Sequence, residues 1–229
     1  MELQVTPSLL SADASRLAEE IARIPSADAI HLDVMDNHFV PNLSFGLSMI
    51  EAIRRSTTKA LDVHLMIDQP DRWAPAYAEV GVESVTFHIE AAEAPIRLAR
   101  QLRALGVRSA VALKPATPPT AITDFLSEFD SVMLMTVEPG FGGQRFLDLV
   151  LPKVTVLRNL IAAANLDIRV QVDGGVSLET IERCVEAGAD TFVAGAAVFG
   201  AENPDAMVHA LKVRARAALD RLIAVAEGR

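Results

Sequence analysis

The residues best suited to chemistry in this chain sit at alternate positions of short apolar segments. In Ala29-Ile30-His31-Leu32-Asp33-Val34-Met35 the odd positions carry an imidazole and a carboxylate, and the even positions are all aliphatic. Leu61-Asp62-Val63-His64-Leu65-Met66 repeats the device, and Arg169-Val170-Gln171-Val172-Asp173 ends in a carboxylate followed by Gly174-Gly175. Residues i and i+2 of a β-strand share a face, so each segment has one polar face and one apolar face. Taken singly, each polar residue could be satisfied separately, as a core histidine bonded to a carbonyl, a helix-capping carboxylate or a salt-bridge partner. Taken together they pose a harder problem, because burying several ionisable groups is costly unless they pair or bind a metal. His31, Asp33, His64 and Asp173 offer two nitrogen and two oxygen ligands. That set suits one divalent ion such as Zn2+, Fe2+, Mn2+ or Co2+.

Such a cluster requires elements that bring three distant strands to one place. Apolar or β-branched runs near 3–9, 28–35, 60–66, 83–88, 107–113, 131–135, 167–173 and 190–195 read as eight strands. The segments between them read as helices: 13–24 after possible caps at Ser11 and Asp13, 94–105 before Gly106, 177–187 between Ser177 and Gly188, and a long final helix from 204 to about 226. With 229 residues, each unit has about 29, enough for a strand, a helix and two turns. The pattern predicts an α/β protein, a (β/α)8 barrel forming a single domain over 1–229, with a doubly wound open sheet as the alternative. In a barrel, alternate strand residues face the axis. His31, Asp33, His64 and Asp173 would then meet near the carboxyl ends of their strands.

Composition narrows the setting. The net charge of −9, the low aromatic content of 5% and the lack of a basic stripe argue against nucleic acid as a partner. No apolar run reaches the length of a membrane span and the amino-terminal stretch lacks the pattern of a signal peptide, so a soluble cytoplasmic protein is expected. Cys184 is the one cysteine and reads as an inert buried thiol inside a helical segment that packs on the barrel exterior.

Longer motifs carry a resemblance. Pro7-Ser8-Leu9-Leu10-Ser11-Ala12-Asp13, His31 to Asn42, Asp62-Val63-His64-Leu65-Met66, Lys114-Pro115-Ala116-Thr117-Pro118, Met135 to Gln144, Val172-Asp173-Gly174-Gly175-Val176 and Val193-Ala194-Gly195 occur in that order. The chain resembles the ribulose-phosphate 3-epimerase family over nearly its whole length. The resemblance implies a TIM barrel of the ribulose-phosphate-binding type. It also implies interconversion of D-ribulose 5-phosphate and D-xylulose 5-phosphate with one divalent metal, no organic cofactor, and assembly as a homo-oligomer, dimer or hexamer. It assigns His31, Asp33, His64 and Asp173 to the metal, with Asp33 and Asp173 also moving the proton.

The chemistry fits those roles. Epimerisation at C3 removes a proton beside the C2 carbonyl and returns one to the opposite face, so it needs an acid and a base on either side of an enediolate, plus a cation to spread its charge. Met35, Met66 and Met135 at strand ends could form a water-poor bed beneath that intermediate, or simply fill the core. Ser8 could bond a substrate hydroxyl, and His64 could contribute to substrate binding as well as to the metal. The phosphate is expected on backbone amides at Gly142, Gly143, Gly174, Gly175, Gly195 and Ala196. The loop from Thr136 to Phe146 is expected to fold over bound substrate.

Two positions depart from the family pattern: Asn37 stands where glycine is common, and Ala196 where serine is common. Asn tolerates positive φ, whereas Ala196 lacks a hydroxyl for the phosphate. His38 is expected to order its loop, His88 to support the site or the core, Arg145 to be exposed, and Lys114 to act as a surface or anion-attracting charge rather than a Schiff-base lysine. Alternatives to the leading reading are a D-allulose 6-phosphate 3-epimerase and a non-catalytic sugar-phosphate-binding barrel.

Overall fold

A computed structural model describes residues 2–228. Eight parallel strands form one sheet: β1 (Gln4–Thr6), β2 (Ala29–Met35), β3 (Ala60–Met66), β4 (Ser84–His88), β5 (Arg108–Leu113), β6 (Ser131–Met135), β7 (Arg169–Asp173) and β8 (Thr191–Val193). Their order is β1-β8-β7-β6-β5-β4-β3-β2. The ring closes between the ends of that order, where the amide of Asp28 donates to Val5 O (3.1 Å) and that of His31 to Pro7 O (2.9 Å). Around it lie α1 (Leu17–Ala22), α2 (Leu47–Ser56), α3 (Pro70–Ala78), α4 (Pro95–Ala104), α5 (Leu151–Ala163), α6 (Ile181–Ala187), α7 (Ala196–Phe199) and α8 (Pro204–Ala226). This is the (β/α)8 barrel expected from the alternation of elements.

Strand periodicity sorts the side chains. Ile30, Leu32 and Val34 of β2, Leu61, Val63 and Leu65 of β3, and Val170 and Val172 of β7 belong to one continuous apolar cluster with buried residues of the helices. The alternate set faces the lumen, where the apolar content is small: Ala112, Met133, Met135, Val137 and Val193 in one group, Met35, Val40 and Met66 in another. The main core is therefore the layer between strands and helices. At about 25 cal/mol per Å2 of apolar surface removed from water, that layer is the main source of stability. It leaves the lumen free to carry polar groups.

The elements differ from the sequence expectation in places, each for a local reason. β1 stops at Thr6, because Pro7 has no N–H to donate and Ser8 caps a 3-10 turn at Leu9–Ser11, its hydroxyl accepting from the amide of Leu10 (3.2 Å). The connection from β5 to β6 is a 3-10 segment, Pro119–Glu128, where a helix had been expected. It starts on consecutive prolines and is kinked at Phe125 (φ −131°, ψ 24°). The segment 13–24 begins as a 3-10 turn, capped where Asp13 accepts from the amide of Ser15 (3.0 Å), before α1 starts at Leu17. In 177–187 a turn held by Thr180 precedes α6, which ends at Gly188 with φ 108°. The turn of helix at α7, directly after β8, was not anticipated. α8 follows expectation, with Asn203 accepting from the amide of Ala206 (3.1 Å). No helix among the described residues is long and apolar enough to cross a membrane.

Cys184 lies fully buried in α6, and burial pushes its thiol up to about 12. A thiolate is the reactive form, so a thiol reagent such as DTNB should leave native protein at pH 8 unlabelled for hours and react stoichiometrically once denaturant unfolds it. Rapid labelling of native protein would contradict this packing.

Candidate functional site

Strand register sets the height of each polar group. β2 and β3 pair in register, so that His31 lies beside Asp62, Asp33 beside His64 and Met35 beside Met66. On the other side of the barrel, β6 and β7 place Met135 beside Asp173. The four proposed ligand residues converge near the carboxyl ends of the strands, each offering a ligand atom within 4.8 Å of the others. His31 Nε2 lies 3.3 Å from Asp33 Oδ1 and 3.8 Å from Asp173 Oδ2, and His64 Nδ1 lies 3.2 Å and 3.4 Å from the same two oxygens. All four residues are buried.

The hydrogen-bond inventory tests whether these residues suit a metal ion. His31 Nδ1 is 2.8 Å from Asp62 Oδ2. Asp62 also accepts from Gln171 Nε2 (2.7 Å) and Ser84 Oγ (2.5 Å), and is held down to about 2: its burial acts upward, but the His31 charge and these bonds outweigh it. An ionised Asp62 accepts the Nδ1 proton, so that whenever the ring is neutral its Nε2 carries a lone pair. That atom is buried and has no hydrogen-bond partner. A lone pair aimed at two carboxylates is repulsive unless a cation lies between them. The site could hold a metal ion, and the orphaned nitrogen is the physical reason.

Electrostatics point the same way. Burial acts to lower the pKa of His31, yet the charges of Asp33 and Asp62 raise it well above the ordinary imidazole value. His64 is also raised against its burial, through Asp173 and Asp33. Asp33 is held far below the usual carboxylate range, because the imidazoles outweigh its desolvation. The pocket thus favours added positive charge, from protons or from a metal cation that displaces them.

Above the cluster opens a cavity of ≈ 380 Å3, a size that suits a small phosphorylated metabolite. Asp33, Asp173, Met35, Met66 and Met135 reach its surface together with Ser8. Gly142, Gly143, Gly174, Gly175, Gly195 and Ala196 line it as well. His31 and His64 do not; both are fully buried beneath it. Ser8 donates to Asp33 Oδ2 (2.5 Å), so its proton is committed to that carboxylate. Gly174 shows how closely the backbone is drawn in: at φ 115°, a Cβ there would sit 2.4 Å from Val137 Cγ2.

The loop after β6 forms part of the wall. Asn42 Nδ2 donates to Gly140 O (2.8 Å), and Gln144 Nε2 donates within the loop to Glu138 O (2.6 Å) and Phe141 O (2.9 Å). Asn37 has φ 60°, the positive value that its side chain tolerates. His38 bonds within its own loop, its ring nitrogen lying 3.0 Å from Asp36 O. Lys114 stacks on Phe39, 3.8 Å from the ring centroid. His88 is fully buried and touches His64 directly, with their Nε2 atoms 2.9 Å apart.

Asp62, Ser84, Gln171 and Glu90 have no role among the sequence expectations. Asp62 and Gln171 share strand faces with named residues, which was a usable signal. That they meet each other across the lumen was not visible, because β3 and β7 are separated by half the ring.

A sequence model of the ribulose-phosphate 3 epimerase family matches residues 4–199. The ribulose-phosphate 3-epimerase of Mycobacterium tuberculosis (strain ATCC 25618 / H37Rv) is 51% identical over 214 residues, covering 93% of each chain. That of Bacillus subtilis (strain 168) is 44% identical over 201 residues, covering 86% of this chain and 93% of the relative. Among solved structures, KGPDC from Streptococcus mutans superposes with a TM-score of 0.70 at 15% identity, covering 95% of this chain and 99% of that one, a likeness of fold alone. Barrel, cluster and extended sequence identity agree, and the chain belongs to the ribulose-phosphate 3-epimerase family.

Proposed function

We propose that residues 1–229 form one catalytic domain that interconverts D-ribulose 5-phosphate and D-xylulose 5-phosphate by epimerisation at C3. The observation that carries this reading is the meeting of two carboxylates and two imidazoles at the floor of a cavity whose rim is rich in glycine amides. Family membership supports the choice of substrate and a cytoplasmic homo-oligomer, dimer or hexamer, that needs no organic cofactor.

His31 Nε2, Asp33 Oδ1, His64 Nδ1 and Asp173 Oδ2 would hold one divalent ion, Zn2+, Fe2+, Mn2+ or Co2+ according to supply. Such an ion supplies Lewis-acid polarisation of the C2 carbonyl and offsets the charge that develops on its oxygen. Asp33 and Asp173 come from strands three apart around the ring, so they can address opposite faces of the substrate, one removing the C3 proton and the other returning one. Ser8 donates to Asp33 Oδ2 and so orients that carboxylate. Met35, Met66 and Met135, each almost entirely shielded from solvent, give the enediolate a floor that excludes water. The phosphate is assigned to amides of Gly142, Gly143, Gly174, Gly175, Gly195 and Ala196, which bring it near without a cationic side chain. At Ala196 only the backbone donates, in place of the hydroxyl common in the family. The loop 136–146 is assigned to closure over the substrate.

Asp33→Asn and Asp173→Asn should each lower kcat for D-ribulose 5-phosphate by about 10^2–10^4 while the protein stays folded by circular dichroism. Unchanged turnover would remove the proton-transfer roles of these two aspartates, and a wild type that binds the sugar phosphate without turning it over would favour the non-catalytic binding barrel. Exhaustive chelation should abolish epimerisation, and adding back a divalent ion should restore it. Kinetics on both sugars should give a higher kcat/KM for D-ribulose 5-phosphate than for D-allulose 6-phosphate, and a large preference for the hexulose would reassign the substrate. Amide hydrogen exchange in 136–146 should slow when a tight, unreactive substrate analogue binds. Exchange that stays the same would remove the closing role.

A further inference from the structure

His31 and His64 present different nitrogens to the cluster, and strand register explains why. Asp33 and His64 are level, whereas His31 lies two residues lower on β2, roughly 6.5 Å down the strand. The lower ring reaches the cluster with its far nitrogen, Nε2, and the level ring with its near one, Nδ1. Each arrangement demands a particular tautomer. For His31 an ionised carboxylate, Asp62, fixes it directly. For His64 the neighbour is a second imidazole, which can be donor or acceptor.

We propose that Glu90 and His88 are positioning residues that keep the proton of His64 on Nε2, so that its Nδ1 lone pair is available to the metal centre. The inference rests on the reading of His31, Asp33, His64 and Asp173 as ligands. A hydrogen bond between two imidazole nitrogens 2.9 Å apart needs one N–H and one lone pair. Glu90 decides which ring supplies which. Its Oε1 accepts from the amide of Lys114 (2.7 Å) and from Thr117 Oγ1 (2.5 Å), and its Oε2 lies 3.1 Å from His88 Nδ1. Held by those donors, Glu90 is ionised and can only accept, so His88 Nδ1 carries a hydrogen. Neutral His88 then has a bare Nε2, which accepts from His64 Nε2–H, and Nδ1 of His64 is left bare. Both rings are fully buried, and Phe39 packs over His88 with centroids 4.7 Å apart, which keeps water from breaking the relay.

Glu90 is required because the opposite order has a local attraction of its own. Asp33 and Asp173 would accept a proton from His64 Nδ1, and that bond would occupy the nitrogen needed by the metal. Reversing the relay would turn a bare His88 Nδ1 toward the Glu90 carboxylate, and that repulsion opposes the competing tautomer. In Glu90→Gln, one end of the amide must face His88 and the other the Lys114 amide. Directing the oxygen to Lys114 leaves NH2 facing His88 and favours the reversed relay. The other orientation sets NH2 against the Lys114 N–H.

The test is calorimetric titration of metal-free protein with Zn2+, alongside 15N spectra of the ring nitrogens in the zinc-loaded wild type. Expected is a proton on His64 Nε2 in the wild type and an affinity about 10- to 100-fold weaker in Glu90→Gln. His88→Gln, whose side-chain oxygen can accept from His64 Nε2–H, should stay within about threefold of wild type, whereas His88→Leu should weaken as Glu90→Gln does. The His88 pair answers the question even if Glu90→Gln fails to fold, and thermal melting identifies that case. Wild-type affinity in Glu90→Gln, equal weakening in both His88 variants, or a proton found on His64 Nδ1 would overturn the inference alone. A wild type that binds no Zn2+ would overturn the metal-centre reading beneath it.

Discussion

Asp33 and Asp173 bring two buried carboxylates against two imidazole nitrogens inside a barrel, and much of the lumen is organised by what that costs. At separations of 3.2 to 3.8 Å the groups repel unless positive charge enters among them. The barrel makes the arrangement tolerable by separating its tasks. Stability comes from the aliphatic layer between strands and helices, so the lumen does not have to be apolar. Polar side chains there are bonded layer by layer, with Asp62, Ser84 and Gln171 tied together below the cluster and Ser8 bonded to Asp33 beside it.

Those supports explain how a cluster of this kind is held ready. Every surrounding bond satisfies a group on its far side and leaves its near side aimed inward. His31 gives its Nδ1 to Asp62, while Asp33 keeps Oδ1 for the cluster and gives Oδ2 to Ser8. The unsatisfied Nε2 of His31 is the one ligand atom of the set left among buried side-chain atoms without a partner. An unfilled hydrogen-bond requirement on a buried nitrogen that faces two carboxylate oxygens is a sign of a ligand more than of a packing fault.

The charge of −9 looks unfavourable for an anionic sugar phosphate. Locally the sign differs. A cation at the floor would reverse the field of the two aspartates, and the proposed phosphate end is lined by backbone amides whose partial charges are fixed by the fold. Gly174 and Gly175, at φ 115° and 65°, bring that backbone closer than any residue with a Cβ would, since the added atom would meet Val137 or Phe146 at under 3 Å.

The sequence by itself determined the eight strands, the face on which His31, Asp33, His64 and Asp173 lie, and the glycines of the rim. Those features depend on period-two alternation and local turn chemistry, which are written in consecutive residues. Its family motifs also named the reaction now proposed. Only the tertiary structure decided which nitrogen each histidine presents, that Ser8 spends its proton on Asp33, and that Gln171 and Glu90 take part in the supports. Those outcomes come from register between strands and from contacts across the lumen, where partners are set by shear and closure rather than by neighbouring positions in the chain. The connection after β5 differs for a local reason: the alternation of elements implies a helix there, and paired prolines with a kink at Phe125 produce a 3-10 segment.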